Sequence, residues 1–124
     1  MKKIIASTAL VFFVLVGFTV KPTTKTMSIK NEMSIGQGKK LFKDKGCAAC
    51  HQEKVKIIGP SLKDIAKKYK AKKGNIVLFL QGKKKAIVDT NAGQVAIMKT
   101  NFSVTKKMSA KDLKSISDYI LSIK

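Results

Sequence analysis

The sequence predicts a small all-α domain, about four helices wrapped around one covalently held prosthetic group. Three observations lead there. Two capping boxes, Ser61-Leu62-Lys63-Asp64 and Ser109-Ala110-Lys111-Asp112, each open a stretch whose apolar residues return at helical spacing. The pentapeptide Cys47-Ala48-Ala49-Cys50-His51 holds the only two cysteines and the only histidine of the 124 residues. Two thiols two residues apart match the gap between the vinyl groups of one porphyrin, and the adjacent imidazole reaches its iron, so the pentapeptide reads as the attachment site of one c-type haem. Finally, once an N-terminal segment is set aside, about 90 residues remain, few for a core made of side chains alone. With six Phe and no Trp, such a core gains from an apolar plate at its centre.

Lys2-Lys3 precede an apolar run from Ile4 to Val20, interrupted by Ser7, Thr8, Gly17 and Thr19. A basic start followed by an apolar stretch is expected to direct export. The run is at the lower limit for crossing a bilayer, and Gly17-Phe18-Thr19 is only an approximate cleavage site. Residues 1–20 are therefore either a signal peptide or an uncleaved membrane anchor. They contain no cysteine to carry a lipid. In both cases the domain is expected outside the cytoplasm, periplasmic or held at the outer face of the cytoplasmic membrane through residues 4–20. Residues 21–33, polar and rich in Thr and Lys, are expected to form a flexible linker, which leaves 34–124 as the folded domain.

Within that domain, Ser34 to Lys45 reads as a helix, with Ile35, Gly38 and Phe42 on one face and Lys39, Lys40 and Lys43 on the other. Gly46 ends it just before the cysteines. After Pro60, the first capping box opens a helix with the stripe Leu62, Ile65, Ala66 and Tyr69. Asn75 to Gln81 encloses the apolar run Ile76-Val77-Leu78-Phe79-Leu80, whose periodicity fits helix or strand; its helical neighbours favour helix. Residues 83–107 show no sustained period, and Asp89-Thr90-Asn91-Ala92-Gly93 is turn chemistry, so a long irregular loop is expected there. Wrapping one face of a porphyrin would give such a loop its purpose. The last helix follows Ser109, with the stripe Leu113, Ile116, Ile120 and Ile123 and with Tyr119 at its edge.

The formal net charge is +19, from 26 basic residues, all lysine, against seven acidic ones. Lysine lacks the planar fork that recognises phosphate bidentately, no recognition motif accompanies the charge, and nucleic acid is not an expected partner. Two readings remain: a solubilising lysine coat, or steering toward an anionic partner or membrane surface.

These features together resemble the class I cytochromes c, the small single-haem electron carriers of bacteria. The resemblance covers roughly residues 34–124. It rests on Gly38-Lys39-Lys40-Leu41-Phe42 ahead of the cysteines, on the intact Cys-x-x-Cys-His, on Ile58-Gly59-Pro60 with its proline nine residues after His51, and on the terminal helix from Asp112-Leu113 to Tyr119-Ile120-Leu121. The rival reading of the cysteines, a redox pair of the thioredoxin type, wants a β-α-β context that the sequence lacks. The resemblance implies a contact of Gly38 and Phe42 with Tyr119. It also implies that the Pro60 carbonyl accepts from the histidine Nδ1–H, which fixes the tautomer of His51 as an iron ligand.

For the other side of the iron there is no second histidine. A thioether is the usual alternative; Met1 initiates, and Met27 and Met33 precede the haem motif in the expected linker, which leaves Met98 and Met108. Met108 sits before the Ser109 cap, in the staple position that packing alone explains. Met98 begins Met98-Lys99-Thr100-Asn101, similar to the Met-Pro-Pro-Asn of the family without its prolines. By that resemblance Met98 is the sixth ligand and Asn101 helps to orient it. Met108, or an open or lysine-ligated position, are the alternatives.

The implied function is one-electron transfer between respiratory redox partners by a haem with His51 and Met98 as axial ligands, without enzymatic activity. The alternative is a haem enzyme or gas sensor with an open or labile sixth position. A monomer is expected, meeting redox proteins with acidic docking surfaces through lysines at the haem edge. Lys54, Lys56, Lys99, Lys106 and Lys107 are the candidates by chain position.

Overall fold

The structure is a computed structural model and describes residues 24–124. The expected signal or anchor segment, 1–20, and the first residues of the expected linker lie outside the described residues. The described chain forms six α-helices and one 3-10 turn: α1 (Thr24–Asp44), the turn Cys47–Ala49, α2 (Leu62–Ala71), α3 (Ile76–Leu80), α4 (Ala92–Thr100), α5 (Phe102–Thr105) and α6 (Ala110–Ser122). The all-α expectation holds.

Two expectations about individual segments need correction. Among the described residues the first helix runs from Thr24, not from Ser34, so residues 24–33 of the expected linker are helical. This stretch is free of proline and glycine, so nothing in it breaks a helix that packing holds further on. The expected irregular loop, 83–107, contains α4 and α5, and the helix count rises accordingly.

The caps act as the sequence implies. Ser61 Oγ accepts from the Asp64 N–H at 3.1 Å and donates to Asp64 Oδ2 at 2.6 Å; Ser109 repeats this with Asp112 at 3.1 and 2.8 Å. Asn75 Oδ1 accepts from the Leu78 N–H at 2.9 Å and starts α3. Each cap satisfies an N–H that the first helical turn leaves without a partner.

Burial then assembles the helices. Phe42, Leu62, Tyr69, Ile76, Leu80, Leu113, Ile116, Tyr119 and Ile120 form one core. The most extensive helix contact is between α1 and α6, the first and last elements. Gly38 makes it possible: a Cβ there would run into the Ser115 carbonyl and stand 2.9 Å from Tyr119 Cβ. Ser115 is buried at this crossing because only a small side chain fits between backbones so close. The ring of Phe42 meets that of Tyr119 edge to face at 5.6 Å, an arrangement aromatic quadrupoles favour. Tyr119 is thus buried in the seam, not at the edge of the stripe. Ser34 Oγ donates to Asp118 Oδ2 at 2.7 Å along the polar border.

α3 and α5 are joined from within. Thr105, buried among apolar side chains, donates through Oγ1 to the Leu80 carbonyl at 2.6 Å. This replaces water on the last carbonyl of a short helix.

Candidate cofactor site

Gly46 is the first residue that positions the site. At φ 77° it adopts a left-handed conformation cheap only for glycine, and it turns the chain from α1 into the Cys47–Ala49 turn. Cys47 and Cys50 are both partly buried and are not joined to each other by a disulfide. Burial pushes the Cys47 thiol up from its ordinary range, and the nearby Cys50 adds to this, against the lowering effect of a backbone hydrogen bond at Cys47.

His51 follows. Its Nδ1 lies 2.7 Å from the Pro60 carbonyl oxygen. A carbonyl only accepts, so this bond exists only in the tautomer with the proton on Nδ1, which leaves the Nε2 lone pair free for a metal. Gly59 holds the ring from one side: a Cβ there would overlap the ring carbon Cε1 and stand 2.7 Å from Nδ1. The loop is laced back on itself, with Gly59 N–H donating to Cys50 O at 2.8 Å and Leu62 N–H to Gln52 O at 2.8 Å. Beyond it, Glu53 Oε1 accepts from Tyr119 Oη at 3.0 Å and pairs with Lys39 Nζ at 3.3 Å, so the loop is tied to both helices of the seam. Burial and then this carboxylate push the Tyr119 hydroxyl up to about 12.

Cys47, Cys50 and His51 open on a mostly apolar cavity of about 670 Å³, within the range of cofactor pockets. Pro60, Phe79 and Ile116 form part of its wall, and Met98 lines it from α4. Met108 does not; it borders a separate surface depression with Leu41 and Lys107. Asn101 lines the same cavity as Met98, but its Nδ2 donates to Ile97 O at 3.1 Å, which makes it an end-of-helix residue of α4. The donor set fits a covalent haem: two thiols at the attachment spacing, one imidazole with Nε2 available, and an apolar chamber on that side.

The lysines distribute differently from the expectation. Lys99 lines the cavity, but Lys107 borders the other depression, Lys56 pairs with Asp89 at 3.0 Å, and Lys106 Nζ lies 5.9 Å from the centroid of Phe102. Sequence reasoning missed Lys45 and Lys83-Lys84-Lys85 along the cavity. It also missed Asp89, whose carboxyl two hydrogen bonds, from Lys56 and then from the Asn91 N–H, hold below its ordinary range. The helix α4 had one available signal: Asn91 at the cap, with Gln94 three residues on.

The fold and the cavity define a small all-α domain with an attachment site for one haem. A family model described as cytochrome c matches residues 35–124. Over 84 residues the chain is 42% identical to cytochrome c-552 of Nitrosomonas europaea, spanning 68% of this chain and 76% of that protein. It is 38% identical to cytochrome c-552 of Hydrogenobacter thermophilus over 84 residues, 68% of this chain and 79% of that one. It is 34% identical to cytochrome c-551 of Azotobacter vinelandii over 87 residues, 70% of this chain and 98% of that protein. The chain belongs to the cytochrome c family, as a small class I c-type cytochrome. Its cofactor is one covalently bound haem c at Cys47 and Cys50, and it is a haem-based electron carrier.

Proposed function

We propose that this cytochrome carries single electrons with His51 and Met98 as its axial ligands, and that it is not an enzyme. The observation that carries the reading is that Met98 and His51 line one cavity while Met108 lines another. When bound, the haem supplies a one-electron ferric/ferrous couple. The residues around it set where that couple lies. Met98 offers a soft thioether that favours the ferrous state. The apolar wall disfavours the extra positive charge of the ferric state, and a chain of net charge +19 does so at longer range, attenuated by salt. A positive reduction potential is expected. His51, held by Pro60 and packed against Gly59, keeps its orientation in both states and so keeps reorganisation small. Asn101 supports Met98 through the end of α4.

Residues 1–20 direct export in this reading, and residues 34–124 work outside the cytoplasm, released or anchored through residues 4–20. Among the described residues no helix is long and apolar enough to cross a membrane. The protein acts as a monomer on redox proteins with acidic docking surfaces, and the lysines along the cavity, Lys45, Lys83 to Lys85 and Lys99, raise the rate of encounter. If the rate with an acidic redox partner ignores ionic strength, the docking reading fails.

Optical spectra of the matured protein test the ligands. The ferric form is expected to show a sulfur-to-iron charge-transfer band that Met98→Ala abolishes and Met108→Ala leaves. A ferric wild-type protein that takes up cyanide or imidazole at once would instead favour an open sixth position, as in a haem enzyme or gas sensor.

A further inference from the structure

Among the described residues, one ion pair joins the two sides of the cavity. Lys56 Nζ lies 3.0 Å from Asp89 Oδ2. Lys40–Asp44 and Lys114–Asp118 are pairs four residues apart within one helix, and Lys39–Glu53 ties α1 to the loop after His51. Lys56 belongs to the His51 side, because its backbone forms an isolated antiparallel bridge with that of His51. Asp89 belongs to the Met98 side. Its Oδ1 accepts from the Asn91 N–H at 3.1 Å, and Asn91 Oδ1 accepts from the N–H groups of Gly93 at 3.0 Å and Gln94 at 3.3 Å, the first turn of α4. A continuous chain of bonds thus runs from the backbone of His51 to the helix that carries Met98.

We propose that Lys56 and Asp89 are positioning residues for the sixth ligand: their ion pair holds the start of α4 against the His51 loop and so holds Met98 over the cavity. The proposal rests on the assignment of Met98 given above. α4 faces the cavity through Val95, Ile97 and Met98, so a tie at its start bears on where Met98 sits. Among the described residues Asp89 is the only acidic side chain along the cavity. The Asp89 side chain is 18% exposed against 59% for Lys56, which shields the pair from solvent on the Asp89 side. The pair takes no part in electron transfer. It disfavours an opened α4 in which the Met98 sulfur has left the cavity. Half-exposed pairs are modest, so an effect of about fivefold on that opening is expected.

The test uses the full-length holoprotein in the ferric state, with imidazole as the competing ligand and hydrogen exchange of the amides of residues 95–100 as a second readout. Asp89→Asn and Lys56→Gln are each expected to speed imidazole binding and amide exchange about fivefold. The double variant Lys56→Gln with Asp89→Asn is expected to be no looser than either single variant, because each already breaks the same pair. Lys114→Gln, which breaks an ion pair on α6, is expected to change neither. Unchanged imidazole binding and exchange in both single variants overturns the proposal, as does a double variant in which the two single effects simply add. Met98→Ala separates the two levels. A charge-transfer band that survives it removes the ligand assignment on which the proposal rests. A band that it abolishes, with imidazole binding unmoved in Asp89→Asn, overturns the ion-pair role alone.

Discussion

Gly59 lies against the ring of His51 so closely that a Cβ would stand 2.7 Å from Nδ1 and 2.9 Å from Nε2. The glycine is therefore a wall of the histidine's socket, set one residue before the Pro60 carbonyl that accepts from Nδ1. Gly59→Ala is expected to tilt the ring, weaken that bond, and cost about 1–3 kcal/mol of stability. Denaturant unfolding of the holoprotein measures the cost, and a changed ferric spectrum reports the tilt. An alanine variant with wild-type stability and spectrum would remove the socket argument.

The α1–α6 seam makes a second prediction. At Gly38 the obstruction is the Ser115 carbonyl, a backbone atom that no rotamer change moves. Gly38→Ala should therefore separate the helices and cost about 3 kcal/mol, the upper range for overpacking. Ser115→Gly should not rescue it, because the carbonyl remains. Urea midpoints of the two single variants and the double variant decide the matter.

Both tyrosines of the chain are expected to titrate far above the ordinary range. Burial pushes Tyr69 up to about 12, and burial with the Glu53 bond pushes Tyr119 up to about 12. In the unfolded chain both ionise near 10. A folded pKa above the unfolded one means that the folded state holds its proton longer, so the stabilisation is complete below pH 10. It is lost as pH rises from about 10 to about 12. The melting temperature should fall across that window and fall less steeply in Tyr119→Phe. Phenolate absorbance appearing with a midpoint near 10 in the folded protein would contradict this.

Thr105 offers a further site of measurable strength. Its buried Oγ1–H is bonded to the Leu80 carbonyl, and Thr105→Val, close in shape, leaves that oxygen without this donor. A loss of about 1–3 kcal/mol is expected, and Thr105→Ser should recover most of it. Thermal unfolding of the three proteins is the measurement.

Local chemistry was the legible part of this chain. Ser61 and Ser109 announce α2 and α6 because a cap and an apolar stripe lie within a few residues of each other, and both features are written in the immediate sequence. Cys47, Cys50 and His51 are legible for the same reason. α4 was not, because Val95, Ile97 and Met98 face a cavity and do not form the regular stripe of a helix packed on a core. The helical start of α1 was missed because its exposed residues 26–33 carry no apolar period, and their helicity is inherited from the packed turns beyond. Lys56 and Asp89, 33 residues apart, meet only once the fold brings the His51 loop to the rim of the distal segment. Long-range pairs of this kind leave no mark in a single sequence.

The α1–α6 seam also carries a consequence for the order of events during synthesis. The first helix of the domain packs on the last, so its closing contact cannot form until the final thirteen residues of α6 have left the ribosome. Until then Phe42 has no Tyr119 to meet, and the wall behind His51 is unfinished. Cys47 and Cys50 lie in an open chain during this interval. With four of the nine core residues on α6, the attachment cysteines stay accessible for as long as the chain is incomplete.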